Sequence, residues 1–282
     1  MQKLFNKILV PVDLSSKSLE VVERAFVFAR RYDCCMHLLH VITVSPFSAI
    51  AAAEGYPILR YDFNDNRKEM EFQLEKLCQH VDSLSEDSMH VDYSIVNGSW
   101  NQGVIDFVND NGVDLVLVGQ TGNLLQKRKM LLNPDTIAEK TNVPVITIPS
   151  NRRLTKLYSI VIPITDFLPV RKLMYGVYMA MHLGTTIKLL GIANSKTEEK
   201  VHHYMAKADK LIGDNCDVRV EKEIVYSKNI AEAVNHFATH KSADLVIVNP
   251  GTQTKMKGIF SSLLGNIIQK YASPPVLTVN PT

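Results

Sequence analysis

The sequence predicts an α/β protein built from two similar domains, each an alternation of strands and helices around a parallel sheet. Three observations predict it. Aliphatic runs of strand length alternate with segments of helical period along the whole chain. One stretch occurs twice: Asp114-Leu115-Val116-Leu117-Val118-Gly119-Gln120-Thr121-Gly122, then Asp244-Leu245-Val246-Ile247-Val248-Asn249-Pro250-Gly251. Each copy is followed by a short apolar run containing proline, Val143 to Pro149 and Ser273 to Val279. A run of four aliphatic residues without polar alternation reads as a strand buried on both faces, hence parallel. A break at its carboxyl end is where a doubly wound sheet places a ligand.

In the first half, Lys7 to Val12 is a strand, followed by Asp13, and Ser15 and Ser16 offer a helix cap. Leu19, Val22, Ala25, Phe26 and Ala29 are spaced for a helix over Ser18 to Tyr32. Met36 to Val44 is the second strand. Ser45 to Asn66 contains Pro46, Gly55 and Pro57 and reads as a long irregular insert. A helix over Arg67 to Ser83 and a strand over Val91 to Val96 follow, the latter ending at Asn97-Gly98. Trp100 to Asn111 is a helix, Asp114 opens the fourth strand, and a helix over Pro134 to Thr141 leads to the fifth.

The second half repeats this order. Strands are expected at Tyr158 to Ile164, Thr186 to Ala193, Val218 to Tyr226 and from Asp244. Helices are expected at Leu168 to Leu183, Thr197 to Gly213, Ile230 to Lys241 and Gly258 to Ala272. Pro11 and Pro163 occupy the same slot. The polar linker from Ser150 to Thr155 divides the chain into domains 1–150 and 155–282.

Composition narrows the function. With 46% hydrophobic and 21% charged residues the chain is an ordinary globule, and a net charge of +2 argues against a dedicated nucleic-acid binder. No apolar run approaches the roughly 20 residues that span a bilayer. The N-terminus leads straight into a strand with no signal-peptide core, so a cytoplasmic location is expected. The adjacent Cys34 and Cys35 point to opposite faces of a strand and cannot share a metal. The same holds for His37 and His40, and His202 and His203 diverge on a helix. No catalytic constellation is visible.

Ile8-Leu9-Val10-Pro11-Val12-Asp13, His40-Val41, the glycine after the third strand, and the Asp-Leu-Val-x-Val-Gly run with its Pro-Val ending together resemble the universal stress protein family in its tandem form. The resemblance implies two Rossmann-like, adenine nucleotide alpha hydrolase-like domains, each with an open five-stranded sheet. It also implies that the two fifth strands meet across a pseudo-two-fold axis, with unknown protein partners and further homodimerisation as open points. Some members bind ATP through a Gly-x-x-Gly turn and a later Gly-Ser or Gly-Thr pair, where backbone N–H groups and a helix N-terminus receive phosphate.

That pattern maps onto Asp13, Val41, Gly98, Gly119, Gly122 and Thr136 as candidate binding residues for ATP with Mg²⁺ or another adenine nucleotide. The first half departs from it in lacking a Gly-Ser pair and in placing Asp135 where phosphate should sit, with Lys127, Arg128 and Lys129 as nearby charge. The second half keeps Gly258 and Gly265 but has Thr165 at the aspartate slot, Asn249 at the first glycine and Ser227 at the third-strand glycine. The alternative is a ligand-free scaffold in which both clefts are degenerate.

Overall fold

The computed structural model describes residues 3–43, 58–84, 89–119, 132–149, 152, 157–252 and 274–281. By contact the chain forms two compact units. The first holds Phe5–Val118 and the second holds Pro134–Thr282, with short pieces exchanged between them.

In the first unit the elements are β1 (Lys7–Pro11), α1 (Ser18–Tyr32), β2 (Cys35–Ile42), α2 (Ile58–Ser83), β3 (Val91–Asn97), α3 (Trp100–Asp110) and β4 (Leu115–Gly119). The strand order is β3-β2-β1-β4, and each described pairing is parallel. The helix expected from Arg67 begins nine residues earlier, at Ile58. The turn-forming residues end at Pro57, and nothing from Ile58 to Ser83 breaks a helix. Its exposed face carries i,i+4 pairs, Arg67 with Glu71 and Gln73 with Glu69. His80 ties it to Glu23 on α1 at 3.0 Å. Phe5, Phe28 and Tyr32 close the other end of the core, Phe28 and Tyr32 with ring centroids 4.5 Å apart.

The second unit contains α4 (Pro134–Thr141), β5 (Val145–Ile148), β6 (Ser159–Ile164), α5 (Val170–Leu183), β7 (Thr186–Ala193), α6 (Glu198–Asn215), β8 (Val220–Tyr226), α7 (Ile230–His240), β9 (Leu245–Val248) and β10 (Val276–Thr278). Strands β10-β9-β6-β7-β8 form a five-stranded parallel sheet. Alternation along these strands separates the helices. Val161, Leu190, Ile192, Val246 and Val248 pack with α7. Ile162 and Ile247 instead meet Gly176 of α5, and Gly191 meets Val201 and Met205 of α6. Helices therefore cover both faces. The helix expected over Gly258 to Ala272 lies outside the described residues.

The last helix and strand of the first repeat, α4 and β5, pack with the second unit. β5 adds to that sheet antiparallel to β10, Ile146 opposite Leu277. This is the pairing of fifth strands that the resemblance implies. Arg171, in the first turn of α5, secures it. Its guanidinium donates to the side chain and the carbonyl of Asn142, which ends α4, and to the carbonyl of Asn280, 2.9 Å away beyond β10.

The carboxylate that opens each repeated run is a tether. Asp114 Oδ2 accepts from the backbone N–H groups of Asn6 and Lys7 at 2.8 and 3.1 Å. Asp244 Oδ2 accepts from those of Tyr158 and Ser159, both at 2.9 Å. Each aspartate satisfies the start of the neighbouring first strand, β1 or β6. Asp244→Ala is expected to destabilise the second unit by about 2 kcal/mol in urea denaturation, because two charge-assisted bonds to partly exposed amides are lost.

The crest of the first unit and its counterpart

Each crest begins at a proline. Val12 N–H bonds the Leu39 carbonyl of β2 at 2.9 Å. Successive N–H groups point to opposite sides, so the donor that Pro11 lacks would face β4. Of the β1 residues, only Ile8 and Leu9 pair with β4. The two strands have parted before Pro11, and the proline forfeits no ladder bond. Such a parting at the carboxyl ends of the strands is where a doubly wound sheet takes its ligand. β6 and β9 repeat it: their ladder covers Ile160 and Val161 and ends before Pro163.

At the first crest, Asp13 follows β1. Its Oδ1 accepts from Ser15 N–H and from Ser18 Oγ–H, each at 3.0 Å. Asp13 thus organises the start of α1 together with Ser15, whose Oγ accepts from Lys17 N–H at 3.4 Å, while the N-cap residue Lys17 makes no side-chain cap. Asp13 Oδ2 has no protein partner among the described residues, and the residue is half-buried. Val41 lies near the end of β2, buried against α3, where Gly103 lets the helix approach. Gly98 ends the third strand with its N–H on the Ile42 carbonyl at 3.0 Å. Its φ of +146° is a conformation that favours glycine. Ser99 then caps α3 by accepting from Gln102 N–H.

Asp13, Val41 and Gly98 therefore sit at the carboxyl ends of three adjacent parallel strands. Gly119 ends β4 and Thr136 lies in the first turn of α4, both counted with the second unit. Asp135 beside Thr136 is buried. Gly122, Lys127, Arg128, Lys129, Gly258 and Gly265 lie outside the described residues.

His40 and Trp100 are crest residues to which the sequence assigned no role in binding. His40 Nδ1 lies 2.8 Å from the Val12 carbonyl oxygen. A carbonyl only accepts, so Nδ1 carries the proton and neutral His40 keeps Nε2 as an acceptor. Burial lowers its pKa, against the opposing pull of that carbonyl and of Asp13. The Trp100 ring meets it edge-on at 5.4 Å. His37, by contrast, bonds Ser94 at 2.9 Å and packs near Phe107, with burial holding its pKa down to about 4.

The second crest has the same frame and different contents. Register places Gly191 where the first crest has His40. Ser227 N–H repeats the Gly98 bond, to the Ala193 carbonyl at 2.9 Å, and Ser227 Oγ accepts from Asn229 N–H beside the cap of α7. Asn249 Oδ1 is buried and has no hydrogen-bond partner among the described residues. The largest difference is Lys172 of α5, only 4% exposed, whose Nζ donates to the Pro163 carbonyl at 2.7 Å. Pro163 N and C=O face β9, where the ladder has ended, so the amine occupies the parting of the strands. Lys172 shares its helical face with the buried Leu173, Gly176 and Met179. A lysine inside an apolar stripe was the signal that could have flagged it.

Comparison with known proteins gives a consistent family. The model of the universal stress protein family matches residues 4–149, just over half the chain. A universal stress protein of Methanocaldococcus jannaschii is 22% identical over 148 residues, covering 52% of this chain and 84% of that protein. The structure of a universal stress protein from Archaeoglobus fulgidus covers 98% of both chains with a TM-score of 0.68 at 13% identity. The cytoplasmic domain of a prokaryotic cation chloride cotransporter shares the fold, with a TM-score of 0.55 at 9% identity over 98% of this chain and 96% of that one.

Proposed function

The chain belongs to the universal stress protein family, and from that premise we propose that it is a stress-response binding protein whose first crest takes an adenine nucleotide or a ligand of that class. One observation carries the reading. Asp13 divides its oxygens: Oδ1 holds the turn into α1, and Oδ2, just beyond the carboxyl end of β1, has no partner among the described residues. A carboxylate oxygen so placed suits ribose hydroxyls, while backbone groups beside Val41 and Gly98 border the same crest. The nucleoside end supports the proposal. Gly119 and Thr136 are grouped with the other unit, and Gly122 lies outside the described residues, so the phosphate end adds nothing to it.

Calorimetry with Mg·ATP and with adenosine tests the reading. Binding is expected for the wild-type chain. Asp13→Asn should weaken it at least tenfold, about 1.4 kcal/mol. Ser18→Ala should keep it, because that change removes a turn contact and leaves Oδ2 in place. No heat with ATP on the order of 1 mM, a concentration that detects affinities down to about −4 kcal/mol, together with nucleotide-free purified protein, would support the scaffold alternative. Phosphate release over hours would instead indicate a slow hydrolase.

A further inference from the structure

The second crest holds a charged residue type in a place built for none. The Lys172 amine is buried, and its one hydrogen bond among the described residues is to the Pro163 carbonyl. An ammonium has three donors, so the charged form would leave two unsatisfied. The Phe167 ring, 5.9 Å away, is the nearest described aromatic partner. Among the described residues no carboxylate compensates. β6 and β9 carry no ionisable side chain, β7 carries Lys188, and α6 carries acidic and basic residues along its length. None of these acts on the amine: burial alone lowers its pKa, from 10.5 to about 7.

The neighbouring residue gives this position its reach. Arg171 binds Asn142 and the Asn280 carbonyl, so the same helical turn that buries Lys172 also holds the ends of α4 and β10. We propose that Lys172 is a proton-operated latch: its neutral amine seats the first turn of α5 over the parting of β6 and β9, and through Arg171 governs how firmly β5 and β10 are held together.

The sign follows from linkage. The seated amine titrates near 7 and the released one at its ordinary 10.5, so release takes up a proton throughout the interval between them. Release therefore becomes easier as pH falls from about 10 to about 7, and stops changing below that, where both forms are charged.

Hydrogen exchange across residues 145–148 and 276–278 tests the latch. Protection factors should rise about tenfold per pH unit between pH 7.5 and 9.5 in the wild-type protein and stay level below pH 6.5. Lys172→Met should abolish the slope. Arg171→Ala should keep it at residues 170–174 and remove it from the two strands. A flat wild-type profile, or the same slope in Lys172→Met, overturns the proposal. Direct NMR titration of the Lys172 side chain gives a reading that needs no variant: a midpoint above 9 overturns the latch equally.

Discussion

Replacing Lys172 with methionine is expected to stabilise the second unit at pH 7 by about 3 kcal/mol, an unusual direction for a core substitution. Holding the amine with a pKa near 7 where the unfolded chain has 10.5 costs roughly 5 kcal/mol at and below neutral pH. Methionine has similar length and no donors, so this cost disappears. Against it stands the lost bond to the Pro163 carbonyl, about 1 kcal/mol, and some imperfect packing. The gain has a definite pH signature. It should be full below pH 7, shrink steadily as pH rises, vanish near pH 9 and turn into a loss of about 1 kcal/mol by pH 10, where the burial cost has nearly gone and the lost bond and packing remain. Urea denaturation at several pH values, followed by circular dichroism, measures it. Parallel wild-type and variant profiles would show that the amine is seated as an ordinary solvated lysine.

The features that were legible in the sequence share a physical basis: they are local or periodic. Strand β7 falls at Thr186 to Ala193 as its apolar run predicts, and the doubled Asp-Leu-Val stretch marks β4 and β9. Asp13 was legible as a candidate ligand, and it also serves the turn through one oxygen while the other has no partner among the described residues. What could not be read depends on partners distant in the chain. The aspartates opening the two repeated runs looked like the start of a motif. Their role as tethers needs Asn6 and Lys7 in one case and Tyr158 and Ser159 in the other, roughly a hundred residues away. The early start of α2 was hidden because Pro46, Gly55 and Pro57 made the whole insert look irregular. The packing of α4 and β5 with the second unit is a tertiary choice, made by strand pairing and by Arg171, and no linker composition announces it.

Gly191→His, which copies the first crest's residue into the second, is expected to destabilise the second unit by about 3 kcal/mol without conferring nucleotide binding. A Cβ at Gly191 would lie 2.9 Å from Ile224 Cγ1, 3.0 Å from Val201 Cγ1 and 3.2 Å from Met205 Cγ. Val201 and Ile224 are β-branched and cannot turn aside cheaply, and an imidazole would need still more room. In the first unit the equivalent strand carries a histidine held by Val12 and faced by Trp100. The helix after β7 has instead closed onto the strand and needs glycine beneath it. The two crests therefore differ in their backbone approach as well as in their side chains, and a site cannot be moved from one to the other by exchanging residues. Urea unfolding of Gly191→His beside Gly191→Ala separates the causes. A graded loss from glycine to alanine to histidine is expected. A histidine variant as stable as the wild type would show that α6 yields, and that the second crest was closed by its side chains alone.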